Sequence, residues 1–228
     1  KRRTPIRLLD LFCGAGGASM GYYRAGFDEV VGVDIKKMPD YPFEFHKGDA
    51  LEFLAEHGTE FDAIHASPPC QHYATLNTGN NANHHDHPDL VSATREGLLA
   101  TGRPYVIENV PTAPLIDPIV LCGEMFSLAV IRHRKFECHP AVPQPDHIKH
   151  RGNTKRRSQG VNYDGPYWGV FGHGGGRDGS IEDWQGAMGI DWITSRKALA
   201  QAIPPAYTRY IAEHLLAFIK GEPAPVTR

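Results

Sequence analysis

The chain has 228 residues, of which 41% are apolar, and a formal net charge of −2. This length and apolar content suffice for one principal domain with a buried core and a small additional lobe. The near-neutral charge gives no global argument for a polyanionic partner, and no apolar run reaches membrane-spanning length, so we expect no membrane association.

The four cysteines, Cys13, Cys70, Cys122 and Cys138, are irregularly spaced and form no CxxC pair. They do not resemble a disulfide framework, and this usage is typical of a reducing, cytoplasmic setting.

Strands and helices are predicted to alternate along the chain. Residues 6–12 are a short apolar run, followed by a glycine-rich turn and a helix-compatible segment that ends at Gly26. Further strands are predicted over residues 30–33, 61–66 and 105–107, with helices over 50–57 and 90–100. The pattern predicts an α/β fold, a Rossmann-like doubly wound and mostly parallel sheet. A final amphipathic helix over residues 203–220 is expected to pack back on that sheet.

Residues 138–180 differ in character from the rest. They are rich in proline, glycine, histidine and basic residues and show no sustained periodicity. We therefore predict a catalytic domain over residues 1–137, a small irregular lobe over 138–180 and a segment over 181–228 that returns to the first domain.

The turn after the first strand has only part of a dinucleotide fingerprint. Gly14 and Gly16 fit a GxGxxG pattern, whereas Ser19 occupies the third glycine position. Asp34 follows about 20 residues later at the predicted end of the second strand, where acids accept hydrogen bonds from ribose. Asp49 follows the next predicted strand end. Each acid alone is more typical of a helix cap or a surface charge, but together they indicate an adenosine-sized site without phosphate chemistry.

Cys70 follows Pro68 and Pro69 at the predicted carboxyl end of an apolar strand. Prolines restrict the backbone, so this thiol is placed where an α/β enzyme displays a nucleophile. By itself the pattern is more typical of a buried packing cysteine than of a nucleophile.

Several sequence blocks carry a family resemblance. They are DLFCGAGG at residues 10–17, PPCQ at 68–71, ENV at 108–110, RHR at 132–134, QGAMGI at 185–190 and AQAIPP at 200–205. In this order and spacing they resemble the signature motifs of DNA cytosine-5 methyltransferases of bacterial or phage type, including those of restriction-modification systems. The resemblance covers nearly the whole chain except residues 138–180. This gap is where the family has its variable target-recognition region, and its length of about forty residues suggests a short or degenerate target sequence.

The resemblance implies S-adenosylmethionine as the cofactor, S-adenosylhomocysteine as its product, and no metal. The implied cofactor-binding residues are Phe12, Gly14, Gly16, Gly17, Asp34, Ile35, Asp49, Ala50, Pro69, Gln201 and Ala202.

The resemblance also implies the catalytic roles. Cys70 would add to C6 of cytosine and so make C5 nucleophilic. Glu108 would hydrogen-bond the N3 and amino edge of the base, and Arg134, supported by Arg132, would face its carbonyl oxygen. The target cytosine would be flipped out of double-stranded DNA, because C5 and C6 are inaccessible within the stack.

Gln71 and the basic residues Lys155, Arg156 and Arg157 are predicted to contact the DNA, the last three through phosphates. His84, His85 and His87 follow the nucleophile in a polar stretch that indicates a DNA-facing loop rather than a metal site, and Cys138-His139 gives no stronger metal signal. We expect a monomer.

Three other functions stay open at this level. The same thiol chemistry would serve RNA cytosine. A different group could be transferred, because Ala200-Gln201 replaces the family's usual Gly-Asn and Val130 replaces a usual glutamine. The chain could also be a non-catalytic DNA-binding homologue, although the presence of Cys70, Glu108 and Arg134 together argues against this.

Overall fold

A computed structural model describes residues 4–69, 89–158, 161–163, 165–171 and 179–226, with the backbone only for 155–158 and 161–163. Within these residues no helix is both long enough and apolar enough to cross a lipid bilayer.

A seven-stranded sheet forms the centre of the molecule, in the order β3-β2-β1-β4-β5-β7-β6. All neighbouring pairs are parallel except the two that involve β7. The strands are β1 (Arg7–Leu11), β2 (Glu29–Asp34), β3 (Glu44–Lys47), β4 (Ala63–Ala66), β5 (Tyr105–Asn109), β6 (Ile119–Leu121) and β7 (Arg134–His139). The predicted mostly parallel, doubly wound sheet is confirmed.

Helices cover both faces of the sheet, because consecutive strand residues point to opposite sides. Leu8 belongs to an apolar cluster with α1 (Gly17–Ala25) and α6 (Pro205–Lys220), whereas Leu9 belongs to a second cluster with α2 (Ala50–His57) and α3 (Leu90–Thr101). The expectation that the last helix packs back on the sheet is confirmed: Tyr207, Ile211 and Leu215 of α6 are fully buried in the first cluster.

Residues 154–168 form a small separate sheet, with β8 (Thr154–Ser158) lying between β10 (Tyr167–Trp168) and β9 (Val161–Tyr163). These strands are followed by α4 (Ile181–Met188) and α5 (Arg196–Gln201). A third apolar cluster, which includes Val170, Trp184 and Ala202, joins this part of the chain to Ala15 in the glycine turn. The lobe therefore has more regular structure than its composition indicates.

Candidate active site

The predicted site residues converge at one edge of the sheet. Leu11 of β1 is in register with Val33 of β2 and Ala66 of β4, and Ala66 is in register with Ile107 of β5. The carboxyl ends of these parallel strands therefore meet at one edge. The strand order reverses between β1 and β4, which is where ligands bind in open α/β sheets.

The glycine turn begins with backbone geometry that few residues adopt. Phe12 has a positive φ of 57°, and Gly16, which caps α1, has a φ of 83°. A Cβ atom at Gly16 would also lie 2.8 Å from the Cδ of Pro42. The backbone N–H of Gly14 donates to Asp34 Oδ2 at 3.1 Å, so the carboxylate at the end of β2 holds the turn in place.

The final sequence block lies directly against this turn. A Cβ atom at Gly17 would lie 2.4 Å from the carbonyl oxygen of Ile203 and 3.2 Å from the Cβ of Ala202. Trp192 Nε1 donates to the carbonyl of Ala15 at 2.9 Å. The structure thus brings Ala202 to the glycine turn, while Gln201 is exposed at the end of α5.

Two of the predicted adenosine contacts lie at strand ends: Asp34 is the last residue of β2, and Asp49 follows β3. Asp34 Oδ1 accepts from the backbone N–H of Lys36 at 3.0 Å, and the adjacent Ile35 is 62% exposed. Asp49 is the N-cap of α2, where its Oδ1 accepts from the backbone N–H groups of Leu51 and Glu52, and Ala50 is buried behind it. Asp49 therefore has the capping role that its sequence position alone indicates.

The residues present fit an adenosine-containing cofactor. Among the described residues, apart from its chain neighbours, none has an atom within 4 Å of the position that a Cβ at Gly14 would take, so this side of the turn is open to close approach of a ligand. Each oxygen of Asp34 makes one hydrogen bond to the backbone, which leaves a lone pair on each for a ribose hydroxyl. Ile35 offers an exposed apolar side chain beside them.

Glu108 and Arg134 form an ion pair at the same edge. Arg134 Nε lies 3.1 Å from Glu108 Oε1, and both side chains are less than 20% exposed. Glu108 lies within β5 rather than just past it, opposite Phe136 of the antiparallel strand β7. Burial raises the pKa of Glu108 above its ordinary value, and this outweighs the opposing effects of Arg134, Ser67 and Arg132.

A buried chain of polar groups leads to Glu108. Tyr22 Oη is 2.9 Å from His65 Nδ1, and His65 Nε2 is 3.0 Å from Ser67 Oγ, which in turn hydrogen-bonds Glu108. Burial lowers the pKa of His65 to about 3, so the imidazole is neutral. With its proton on Nε2, His65 accepts from Tyr22 and donates to Ser67, which leaves the serine hydroxyl proton for the Glu108 carboxylate.

Asn109 holds the turn that precedes the predicted nucleophile. Its side-chain amide donates to the carbonyl of Pro68 at 3.0 Å, and its oxygen accepts from the N–H of Val110 at 2.9 Å. Pro68 is buried and Pro69 is exposed at the end of β4. Cys70 and Gln71 lie outside the described residues.

The guanidinium of Arg132 hydrogen-bonds backbone carbonyl groups. Its Nη1 donates to the carbonyl of Val170 at 2.9 Å and its Nη2 to that of Ala200 at 2.8 Å. Tyr207 Oη donates to the carbonyl of Arg132 at 2.6 Å. These contacts make Arg132 a positioning residue for three chain segments.

Asp10 is a buried acidic residue near the site, and the sequence predicts no functional role for it. It is fully buried in β1 and accepts a hydrogen bond from Ser19 Oγ, which is 2.9 Å from Tyr41 Oη. Burial raises its pKa to about 7, although the Ser19 hydrogen bond acts in the opposite direction. In the sequence, both Asp10 and Asn109 stand out as polar residues within an apolar strand, and this is the signal that could have identified them.

The basic run falls on the lobe sheet. The backbone of Lys155, Arg156 and Arg157 lies in β8, and their side chains are outside the described part of the structure. The contact of these side chains with DNA therefore stays a prediction.

Solved structures of low sequence identity share this fold. An Entamoeba histolytica methyltransferase, EhMeth, aligns with a TM-score of 0.62 at 11% identity, covering 95% of this chain and 99% of that one. The S. pombe Dnmt2 methyltransferase aligns with a TM-score of 0.60 at 12% identity and the same coverage. The fold is that of the class I S-adenosylmethionine-dependent methyltransferases.

Sequence comparison supports a narrower group. Residues 6–112 match the family model "C-5 cytosine-specific DNA methylase". The Type II methyltransferases M.FnuDI of Fusobacterium nucleatum and M.XorII of Xanthomonas oryzae pv. oryzae are each 35% identical, over 75 and 83 residues, and each alignment covers 30% of this chain. The aligned parts span only 22% and 20% of those relatives. The resemblance to the DNA cytosine-5 methyltransferases is therefore confirmed.

Proposed function

We propose that this protein transfers a methyl group from S-adenosylmethionine to C5 of cytosine in double-stranded DNA. The observation that carries the proposal is the buried Glu108–Arg134 ion pair. It lies one strand away from the turn, held by Asn109, that leads to Cys70. A buried acid and a guanidinium side by side match the N3 and carbonyl groups on one edge of cytosine.

Cys70 acts as the nucleophile in this proposal. Its thiolate adds to C6, which moves an electron pair to C5, while the protonated Glu108 donates a hydrogen bond to N3 and Arg134 stabilises the carbonyl oxygen. S-adenosylmethionine would supply the methyl group that the activated C5 accepts, and would be left as the thioether S-adenosylhomocysteine. The C5 proton leaves to water and the C6–sulfur bond breaks, which restores the thiolate.

The cofactor would be held by the residues at the carboxyl ends of β1 and β2. It supplies an electrophilic methyl group on a sulfonium. Phe12 and the turn of Gly14, Gly16 and Gly17 would contact the cofactor. Asp34 would accept hydrogen bonds from its ribose hydroxyls, and Ile35 would pack on its adenine ring. Asp49, Ala50, Pro69, Gln201 and Ala202 complete the proposed contacts.

The acceptor is proposed to be duplex DNA with the target base flipped out. Lys155, Arg156 and Arg157 of β8 would contact phosphates, and Gln71 would lie beside the flipped base. The short lobe leads us to expect a short or degenerate target sequence. Bisulfite sequencing that shows modification confined to a long, strict site would contradict this expectation.

Nucleoside mass spectrometry tests the proposal. Mixed-sequence duplex DNA and total tRNA are incubated separately with the cofactor and either the native protein or Cys70→Ala. We expect 5-methylcytosine in DNA only, and none with the variant, because the thiolate is required to activate C5. Duplex containing 5-fluorocytosine should form a covalent adduct with the native protein, since fluorine at C5 cannot leave as a proton does.

Three results would contradict the proposal in different ways. Modification of tRNA alone would change the acceptor. A modified cytosine of another mass would change the transferred group. Cofactor binding with no modified base and no adduct would indicate a non-catalytic DNA-binding homologue.

A further inference from the structure

Four metal-binding side chains converge outside the proposed active site. They are Cys122, His133, His147 and His150, and their ligand atoms all lie within 4.8 Å of one another. His133 Nε2 is 2.9 Å from His147 Nε2, and Cys122 Sγ is 4.0 Å from His150 Nε2. Cys122 is buried, while the three imidazoles are partly or fully accessible.

The four residues come from three separate segments. Cys122 directly follows β6 and His133 directly precedes β7, so these two strands bring them together. His147 and His150 lie between β7 and β8, in the segment that leads from the central sheet into the lobe. Proximity in sequence alone does not explain this convergence.

The geometry is close to that of a tetrahedral site. The three imidazole rings lie 5.0 to 5.2 Å apart between centroids. Zinc bound tetrahedrally to nitrogen at about 2.0 Å and to sulfur at about 2.3 Å separates its ligand atoms by roughly 3.3 to 3.5 Å. The observed separations of 2.9 and 4.0 Å bracket this range. Small side-chain movements would therefore place all four atoms around one ion.

A buried carboxylate orients one of the four ligands. His150 Nδ1 is 3.3 Å from Glu124 Oε2, and the Glu124 side chain is 4% exposed. Arg151 Nε donates to the other oxygen of Glu124 at 2.5 Å and so holds the carboxylate in position. A carboxylate on the far nitrogen keeps the proton on Nδ1 and leaves the lone pair of Nε2 free for a metal, as is usual for histidine ligands.

We propose that Cys122, His133, His147 and His150 bind one structural Zn²⁺ ion. A thiolate with three imidazoles is a donor set that suits zinc, and four protein ligands close the site to substrate. The ion would fasten the segment carrying His147 and His150 to the β6–β7 edge of the sheet. This site departs from the expectation of no metal, and it does not depend on the proposed methyl transfer.

Metal analysis of the full chain, purified without a histidine tag, tests the site. We expect about one zinc per chain by mass spectrometry of the metal. Replacing zinc by Co²⁺ should produce intense visible bands of tetrahedral cobalt and a thiolate-to-cobalt charge-transfer band. Cys122→Ser should lose the charge-transfer band, and His150→Ala should lower zinc affinity at least about tenfold.

The matched control changes His84, His85 and His87 to alanine, which removes three histidines of the sequence without touching the proposed ligands. This variant should keep one zinc, and chelation should lower the melting temperature of both it and the native chain. The proposal is overturned if the native chain shows no thiolate-to-cobalt band, if the control variant rather than Cys122→Ser loses the metal, or if chelation leaves the melting temperature unchanged. None of these measurements uses DNA or the methyl donor, so failure here and failure of the proposed function are distinguishable.

Discussion

At the scale of single residues, neighbouring groups and burial act in opposite directions on the pKa of Glu108. Burial favours its protonated form, whereas Arg134 and the Ser67 hydroxyl favour the carboxylate, and burial is the strongest of these. A raised pKa extends the protonated form of Glu108 to higher pH, and in the proposed mechanism this is the form that donates to N3 of cytosine. The ionisation of Glu108 is thus set in part by a hydroxyl that does not contact the substrate in the proposed mechanism.

Ser67→Ala should therefore alter the pH dependence of methyl transfer. Loss of the hydroxyl removes an interaction that lowers the pKa of Glu108, so this pKa should rise further. Protonated Glu108 would then persist to higher pH, and the alkaline limb of the kcat–pH profile should shift to higher pH. Ser67→Thr keeps a hydroxyl and is the matched control. An unchanged or downward-shifted limb in Ser67→Ala would show that Ser67 does not control this ionisation.

At the scale of secondary-structure elements, one side chain links β5 to the end of β4. The Asn109 amide is 1% exposed and donates to the buried carbonyl of Pro68, two residues before Cys70. This tether fixes Pro68, which precedes the proposed nucleophile, relative to the strand that carries Glu108. The position of Pro68 relative to Glu108 is thereby set by a hydrogen bond as well as by the sheet.

Asn109→Leu should separate catalysis from cofactor binding. The leucine fills a similar volume but leaves the Pro68 carbonyl unpaired, which should lower the free energy of unfolding by about 1–3 kcal/mol. We expect kcat to fall by a larger factor than the affinity for S-adenosylmethionine, because among the proposed cofactor contacts only Pro69 adjoins the tethered residue. Urea unfolding, calorimetric cofactor binding and single-turnover methylation measure the three quantities. A loss of cofactor affinity equal to the loss of kcat would show a general disruption instead.

Many of the helices and strands were predictable from sequence patterns within each element. The helix predicted over residues 50–57 is observed as Ala50–His57, because Asp49 is a strong capping residue and its hydrogen bonds define the first turn. By contrast, β6 is an apolar run of only three residues and β7 reads RKFECH, so neither carries the signal of a buried parallel strand. Their pairing with β5 depends on contacts distant in sequence. The same is true of the Glu108–Arg134 pair, whose partners were predicted individually but whose contact requires the antiparallel register of β7.

At the scale of the whole molecule, Asp10 makes stability depend on pH. Its ordinary pKa of 3.8 is raised to about 7 by burial. Between these values the folded chain holds a proton that the unfolded chain has released, so the free energy of unfolding should decrease as pH rises from about 4 to 7. The contribution of one such group reaches about 1.4 kcal/mol per pH unit within that window.

Asp10→Asn should flatten this part of the stability curve. The amide oxygen can still accept from Ser19, but the group no longer titrates. Urea unfolding across this pH window should show a shallower decline for the variant than for the native chain. Equal slopes for the two proteins would show that Asp10 is ionised in the fold or that another group dominates.

Main-chain hydrogen bonds join the lobe to the rest of the protein, in addition to its buried apolar side chains. Where it leaves the small sheet, the carbonyl of Val170 accepts from Arg132, and the N–H of Trp168 donates to the carbonyl of Ala129 at 2.8 Å. Within the lobe, the backbone N–H of Arg151 donates to Tyr167 Oη at 2.9 Å. Almost any residue except proline offers a backbone N–H and carbonyl, so these hydrogen bonds place little constraint on the side chains at 151, 168 and 170, whereas burial does constrain position 170. We therefore expect a replacement for residues 151–170 to leave the central sheet folded only if it keeps the buried side chains of Tyr167 and Val170.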